Sequence, residues 1–124
     1  MIQLNYRDAR PIYEQIKSGL RKLVIAHVID ANEKLPSVRE LATTLTINPN
    51  TIQRAYRELE LEGYIYSVPG RGTFAVSRED IPDNRQKELL IQFDEIVSEL
   101  LFLSIDADDL TVRVHNLAGG SSNL

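Results

Sequence analysis

No cysteine occurs among the 124 residues. Disulfides, thiolate metal sites and a cysteine nucleophile are therefore excluded, and a reducing cytoplasm is the expected setting. No run of about 18 apolar residues is present. Residues Met1 to Asp8 hold no signal-peptide core, so neither a membrane span nor a targeting segment is expected. There is no glycine-rich phosphate loop after a strand, and no Ser/His/Asp grouping with its supporting signatures. The two histidines, His27 and His115, lie far apart in sequence and read as structural rather than as metal ligands. Asp106, Asp108 and Asp109 lack the spacing of a calcium loop, and read as a helix cap with partners for the helix dipole. The expectation is a chain that is not an enzyme and holds no metal or cofactor.

An excess of positive charge is missing too: the formal net charge is −4. Its distribution is uneven. Residues 1–77 hold ten Lys/Arg against eight Asp/Glu, whereas residues 78–124 hold four against ten. The acidity is concentrated in the C-terminal third, and local patches matter more for binding than the total. With 43% apolar and 26% charged residues, the chain reads as one soluble domain of modest core, with or without an appendage.

What is present is a pair of helix-start signals in close succession. Ser37 and Glu40 have capping-box spacing. Val38, Leu41, Ala42 and Leu45 then form one apolar stripe. Asn48 is a good N-cap and Pro49 suits the first helical position. Ile52, Ala55, Tyr56 and Leu59 make the inward stripe of this second helix. Its other face carries Asn50, Thr51, Gln53, Arg54 and Arg57. A short helix, a tight turn, and a helix whose exposed start holds amides, a hydroxyl and guanidinium groups is what reading a major groove requires.

The rest of the chain is arranged around that pair. Residues up to about Asp8 read as an extended arm. Pro11 opens a helix to about Ala26, with Ile12, Ile16, Leu20, Leu23 and Val24 inward and Glu14, Lys17, Arg21 and Lys22 on the wet side. His27 to Lys34 is a connector, with Asn32 suited to a left-handed turn position. Gly63 ends the second helix of the pair. Tyr64 to Val68 and Thr73 to Val76 read as strands around the turn Pro69-Gly70-Arg71-Gly72, whose glycines let the backbone approach a ligand. Arg71 at that tip can enter a minor groove or meet phosphate. Tyr13, Tyr56, Tyr64 and Tyr66 read as packed side chains rather than stacking platforms. Arg54 can pair with Glu58, and Arg57 with Glu58 or Glu60.

A polar linker follows. A long helix is then expected from Arg85 to about Ser104, with Leu89, Phe93, Ile96, Leu100 and Leu103 on one stripe, widened by Leu90, Val97 and Leu101. Asp106 caps a last short helix carrying Leu110, Val114 and Leu117. So apolar a pair has little of its own to pack against, and a symmetric dimer is favoured over packing within the chain.

Several segments together resemble the DNA-binding domain of GntR-family bacterial transcription regulators. They are Pro11-Ile12-Tyr13-Glu14-Gln15-Ile16, the run from Leu35 to Ala42, Asn48-Pro49-Asn50-Thr51, the run from Ala55 to Glu60, Glu62-Gly63, and Gly70-Arg71-Gly72-Thr73-Phe74. The short two-helix C-terminus is similar to the YtrA subfamily. That resemblance implies dimerisation through the C-terminal helices, absence of the large ligand-binding domain found elsewhere in the family, and frequent control of transporter operons. It also implies that Arg39 contacts DNA, that Asn50, Thr51 and Gln53 lie at recognition-helix positions, and that Gly70, Arg71 and Gly72 form the wing tip. Other subfamilies often have arginine at the positions of Pro49 and Gln53, a Pro-Gly pair at Ala31-Asn32, and glycine at His27.

The expected fold is α+β and mainly helical. It comprises a winged helix-turn-helix domain (1–77), a linker (78–84), a helical dimerisation region (85–118) and a flexible tail (119–124). The expected function is a homodimeric transcription regulator, more often a repressor in such families, acting on a two-fold operator. Its DNA-binding residues are Ser37, Arg39, Asn48, Asn50, Thr51, Gln53, Arg54, Arg57, Gly70, Arg71 and Gly72. Its dimer residues are Leu89, Phe93, Ile96, Leu100 and Leu103. A winged helix used for protein–protein contact is the alternative. The C-terminal part is too short for a ligand pocket of its own, so an effector would bind at the dimer interface, if one acts at all.

Overall fold

Local capping chemistry starts the two central helices where the sequence places them. The Ser37 hydroxyl accepts from the Glu40 N–H at 3.1 Å, and the Glu40 carboxylate accepts from the Ser37 N–H at 3.3 Å. The Asn48 side chain accepts from the Asn50 N–H at 2.8 Å, with Pro49 next to it as the first helical residue. A computed structural model describes residues 2–119. In order these form α1 (Ile12–Ile25), α2 (Val38–Leu45), α3 (Pro49–Glu62), β1 (Ile65–Val68), β2 (Gly72–Ala75), a 3-10 turn (Arg78–Asp80), α4 (Asp83–Phe102) and α5 (Ala107–Gly119). Of the expected tail, Gly119 closes α5, and residues 120–124 lie outside the described residues.

The described residues fall into two units, one up to Arg85 and one from Gln86 onward. The first has a single core. Ile16, Leu20 and Val24 of α1 meet Leu41 and Ala42 of α2, Ile52, Ala55, Tyr56 and Leu59 of α3, and Ile65 and Ala75 of the hairpin. β1 and β2 pair antiparallel, with Ile65 opposite Ala75 and Val68 opposite Gly72. In the second unit, only Val97, Leu100 and Leu110 are half-buried, and the other described residues are exposed.

Five expectations need correction. Lys17, placed on the wet side of α1, is only 8% exposed, because α3 presents Glu58 and Glu62 to it. The connector before α2 is part of the sheet. Asn32 and Leu35 donate to the carbonyls of Ala75 and Thr73 at 2.8 Å, and Ala75 donates back to Glu33 at 2.9 Å, so β2 is paired on both sides. The arm is not extended throughout. It folds back between residues 5 and 10, where Gln15 both accepts from the Asn5 N–H and donates to its carbonyl. Helix α4 spans Asp83–Phe102, so Leu103 lies beyond it in the turn. Finally, the 78–84 segment, read as a linker, is docked: Ile81 packs on the core, and a Cβ at Gly63 would stand 2.3 Å from Pro82 Cδ.

The ends of α1 to α4 share one device. His27, Thr46, Gly63 and Ser104 all have left-handed φ values, of 59°, 56°, 89° and 69°. The N–H after each reaches back five residues at 3.0 Å: Val28 to Leu23, Ile47 to Ala42, Tyr64 to Leu59 and Ile105 to Leu100. These are Schellman ends, which favour glycine. Only one of the four has it. His27→Gly is therefore expected to stabilise the first unit by about 1 kcal/mol, since the left-handed strain of a residue with Cβ disappears. Thermal unfolding should show a higher midpoint; a lower one would mean that the His27 side chain contributes more than its backbone strain costs.

Candidate nucleic-acid interface

The exposed strip of α3 is set by helix geometry. At about 100° per residue, Ile52, Ala55, Tyr56 and Leu59 face inward, and Asn50, Gln53, Arg54 and Arg57 stand opposite. The burial pattern agrees: the first four are buried and the last four exposed. Thr51 is half-buried, at the edge nearest α1. Asn48 uses its side-chain oxygen as the cap, which leaves its NH2 group facing outward from the helix start. Ser37 likewise accepts with its oxygen in the capping box and keeps its O–H to donate.

Arg39 stands two residues after that cap and is exposed. Its helix is tied to α3 by Tyr56, whose hydroxyl donates to the Pro36 carbonyl at 2.7 Å. Burial, with the nearby Glu40 charge, pushes the Tyr56 phenol up to about 12, so it stays a neutral donor. The start of α2 is thus held in register with the middle of the recognition helix.

The wing tip turns at Pro69-Gly70. Arg71 N–H donates to the Val68 carbonyl at 2.9 Å, and Gly70 has φ +75°, as the third position of a type II turn requires. Gly72 has φ +128°, and a Cβ there would meet Lys34 Cε at 2.7 Å. Both glycines thus have a conformational role. Tyr66 and Phe74 stack across the hairpin at 5.5 Å.

Lys34 is a residue the sequence did not single out. Its pairing with β2 lays its stem over Gly72, at the base of the wing. No local signal marks it, since its position follows from strand pairing with Phe74, 40 residues away. Lys34, Arg39, Arg57 and Arg71 are exposed and have no ion pair among the described residues, so the expected Arg57 pairing with Glu58 or Glu60 is absent. Arg54 does pair with Glu58, at 3.3 Å, and also lies against Tyr13. By contrast Lys17, Arg21 and Arg85 are all committed to Glu62. The cations between α1 and α3 are therefore tied up, whereas Lys34, Arg39, Arg57 and Arg71 stay open to a polyanion, as do Arg7, Lys22 and Arg78 elsewhere in the first unit.

Among the described residues no group of His, Asp and Glu is arranged to hold a metal ion, and no helix is long and apolar enough to cross a membrane.

Comparison with known proteins gives a consistent picture. Residues 12–75 match the family described as bacterial regulatory proteins, gntR family. Over 129 aligned residues, 99% of each chain, the protein is 33% identical to the HTH-type transcriptional repressor YtrA of Bacillus subtilis (strain 168). A transcriptional antiterminator from Listeria monocytogenes EGD-e superposes with a TM-score of 0.82 at 32% identity, over 98% of this chain and 90% of that one. The DNA-binding domain of AraR in complex with operator ORR3 superposes at 0.53 with 30% identity, over 60% of this chain and 89% of that one. The chain belongs to the gntR family of bacterial regulatory proteins, and is thereby a DNA-binding transcription regulator and not an enzyme.

Proposed function

We propose that the protein is a cytoplasmic repressor that binds a two-fold symmetric operator as a homodimer. The observation that carries this reading is the open polar strip of α3, flanked by the unpaired cations Arg39 and Arg71. The start of α3 enters the major groove, where Asn50, Thr51, Gln53 and Arg57 meet base edges or phosphates. Ser37, Arg39 and Asn48 hold the flanking backbone. Gly70, Arg71 and Gly72 carry the wing to the neighbouring minor groove, and Lys34 adds a charge at its base. The complex of AraR with operator DNA supports double-stranded DNA as the ligand. Leu89, Phe93, Ile96 and Leu100 of α4, with Leu103 in the following turn, supply the dimer contact. The relative YtrA is named a repressor, which supports that sign of regulation.

Selection from a random duplex pool, with gel filtration alongside, tests the reading. A two-fold symmetric consensus and a dimeric elution are expected. The consensus can then be sought upstream of transporter operons, the targets that the family resemblance suggests. No enrichment at low salt would shift the reading to a winged helix used for protein contact. On the selected duplex, Arg39→Ala is expected to weaken binding by about 1–3 kcal/mol if it reads a base. A phosphate role would instead lower affinity uniformly across sequences. Unchanged affinity would remove Arg39 from the interface.

A further inference from the structure

We propose that Tyr13 is a positioning residue for DNA binding: with Glu58 it fixes the Arg54 guanidinium on the α1 edge of the recognition strip, ready to take a backbone phosphate. This rests on the DNA-binding reading above. The Arg54 Cζ lies 3.7 Å from the centre of the Tyr13 ring. Its Nη2 donates to the Tyr13 hydroxyl at 3.1 Å, and its Nε donates to Glu58 Oε2 at 3.3 Å. Glu58 is itself held by Lys17 Nζ at 2.9 Å. Tyr13 stands in the first turn of α1, 41 residues before Arg54.

A guanidinium has five N–H donors. These contacts use two, on a side chain that remains 56% exposed. The remaining donors form the outer edge of a plane whose orientation the ring has already set. A free arginine loses rotamer freedom when it closes on a phosphate; folding has removed that freedom here. The helix wheel decides between phosphate and base. Arg54 is turned about 60° from Arg57 toward Glu58, away from the centre of the strip. Residues at the centre meet the groove floor, and those at its edge meet the strand that borders it. Lys17 shares the charge of Glu58, so the carboxylate does not cancel the guanidinium.

The test uses the full chain and the duplex chosen by selection. Affinity is measured against salt for the wild type, Arg54→Ala, Tyr13→Leu, Tyr13→Phe and the Tyr13→Leu/Arg54→Ala double variant. Arg54→Ala should weaken binding about tenfold and lower the log–log salt slope by about 0.9, one phosphate contact. Tyr13→Leu should weaken it about threefold, and Tyr13→Phe, which keeps the ring, by less. In the Arg54→Ala background Tyr13→Leu should have no further effect, which a role confined to folding would not produce. Independent, multiplying effects of the two substitutions would overturn the proposal, as would an Arg54→Ala variant that binds like the wild type. A wild type that selects no duplex would instead defeat the DNA-binding reading, and this proposal with it.

Discussion

Glu62→Ala is expected to destabilise the first unit by about 3 kcal/mol, more than removal of any one cation it holds. Glu62 Oε2 accepts from Lys17 Nζ at 3.1 Å, and Oε1 accepts from Arg21 at 2.7 Å and pairs with Arg85 at 3.4 Å. Lys17 and Arg85 are both buried. Removing the carboxylate leaves three positive charges close together, two of them buried and Arg21 half-buried, whereas removing one cation leaves Glu62 with two. Lys17 would keep Glu58, at 2.9 Å, which is why the expected loss lies at the lower end for a buried pair. Lys17→Met should cost about 1 kcal/mol, because the methionine stem still packs while Glu62 keeps both arginines. Urea unfolding is the measurement: the midpoint should fall with the slope unchanged. Equal effects of Glu62→Ala and Lys17→Met would show that the four groups act as separate surface pairs.

The same cluster sets a pH window. Burial presses the Lys17 ammonium down, but hydrogen bonds to Glu58 and Glu62 outweigh it and hold it above its ordinary 10.5. Its contribution is complete below 10.5 and is lost as pH rises through the folded value. The Lys17 hydrogen bond holds the Glu58 carboxyl below its ordinary 4.5, against a smaller effect of burial, with Arg54 adding to the lowering. That contribution is present above 4.5 and is lost as pH falls through the folded value.

Glu62 also shows where reading the sequence stops. Features set within a few positions were legible: the Ser37–Glu40 box, the Asn48–Pro49 start, the left-handed Asn32, the Arg54–Glu58 pair. Each depends on residues a few positions apart. Lys17 was misplaced because its partners lie 41 and 45 residues away. On the wheel of α1 it looks like any solvated lysine. Lys34 and the sheet character of residues 32–35 were missed for the same reason: an isolated extended stretch carries no sign of the strand it joins. The end of α4 was misplaced by local chemistry instead. Ser104 takes the left-handed position that glycine usually marks. For the interface, the residue types and their shared face on α3 were legible from spacing, and the motif order carried the family. The hold of Tyr13 on Arg54 was not legible, since nothing in either segment refers to the other.

Phe93→Asp combined with Leu100→Asp is expected to convert the protein to monomers and to reduce affinity for a two-fold operator by about 10²–10⁴. On the single chain α4 exposes Leu89, Phe93 and Ile96, and Phe102 at its end is 84% exposed. Apolar side chains scattered singly need no explanation, but a contiguous stripe at spacings of three and four does. Leu89, Phe93, Ile96 and Leu100 fall within about 60° of one another on the helix. Ile91, also exposed, stands on the opposite side and serves as the control. Two carboxylates on the stripe would have to be desolvated against their own copies, which opposes pairing through it. Each half-site would then be bound by an independent monomer, without the high effective concentration that tethering gives the second binding event. Gel filtration and operator titration read the two effects, and circular dichroism checks that α4 stays helical. Ile91→Asp should remain dimeric and bind normally. A double variant that still elutes as a dimer would place the interface on another face of α4 or on α5, whose Val112, Val114 and Leu117 are likewise exposed.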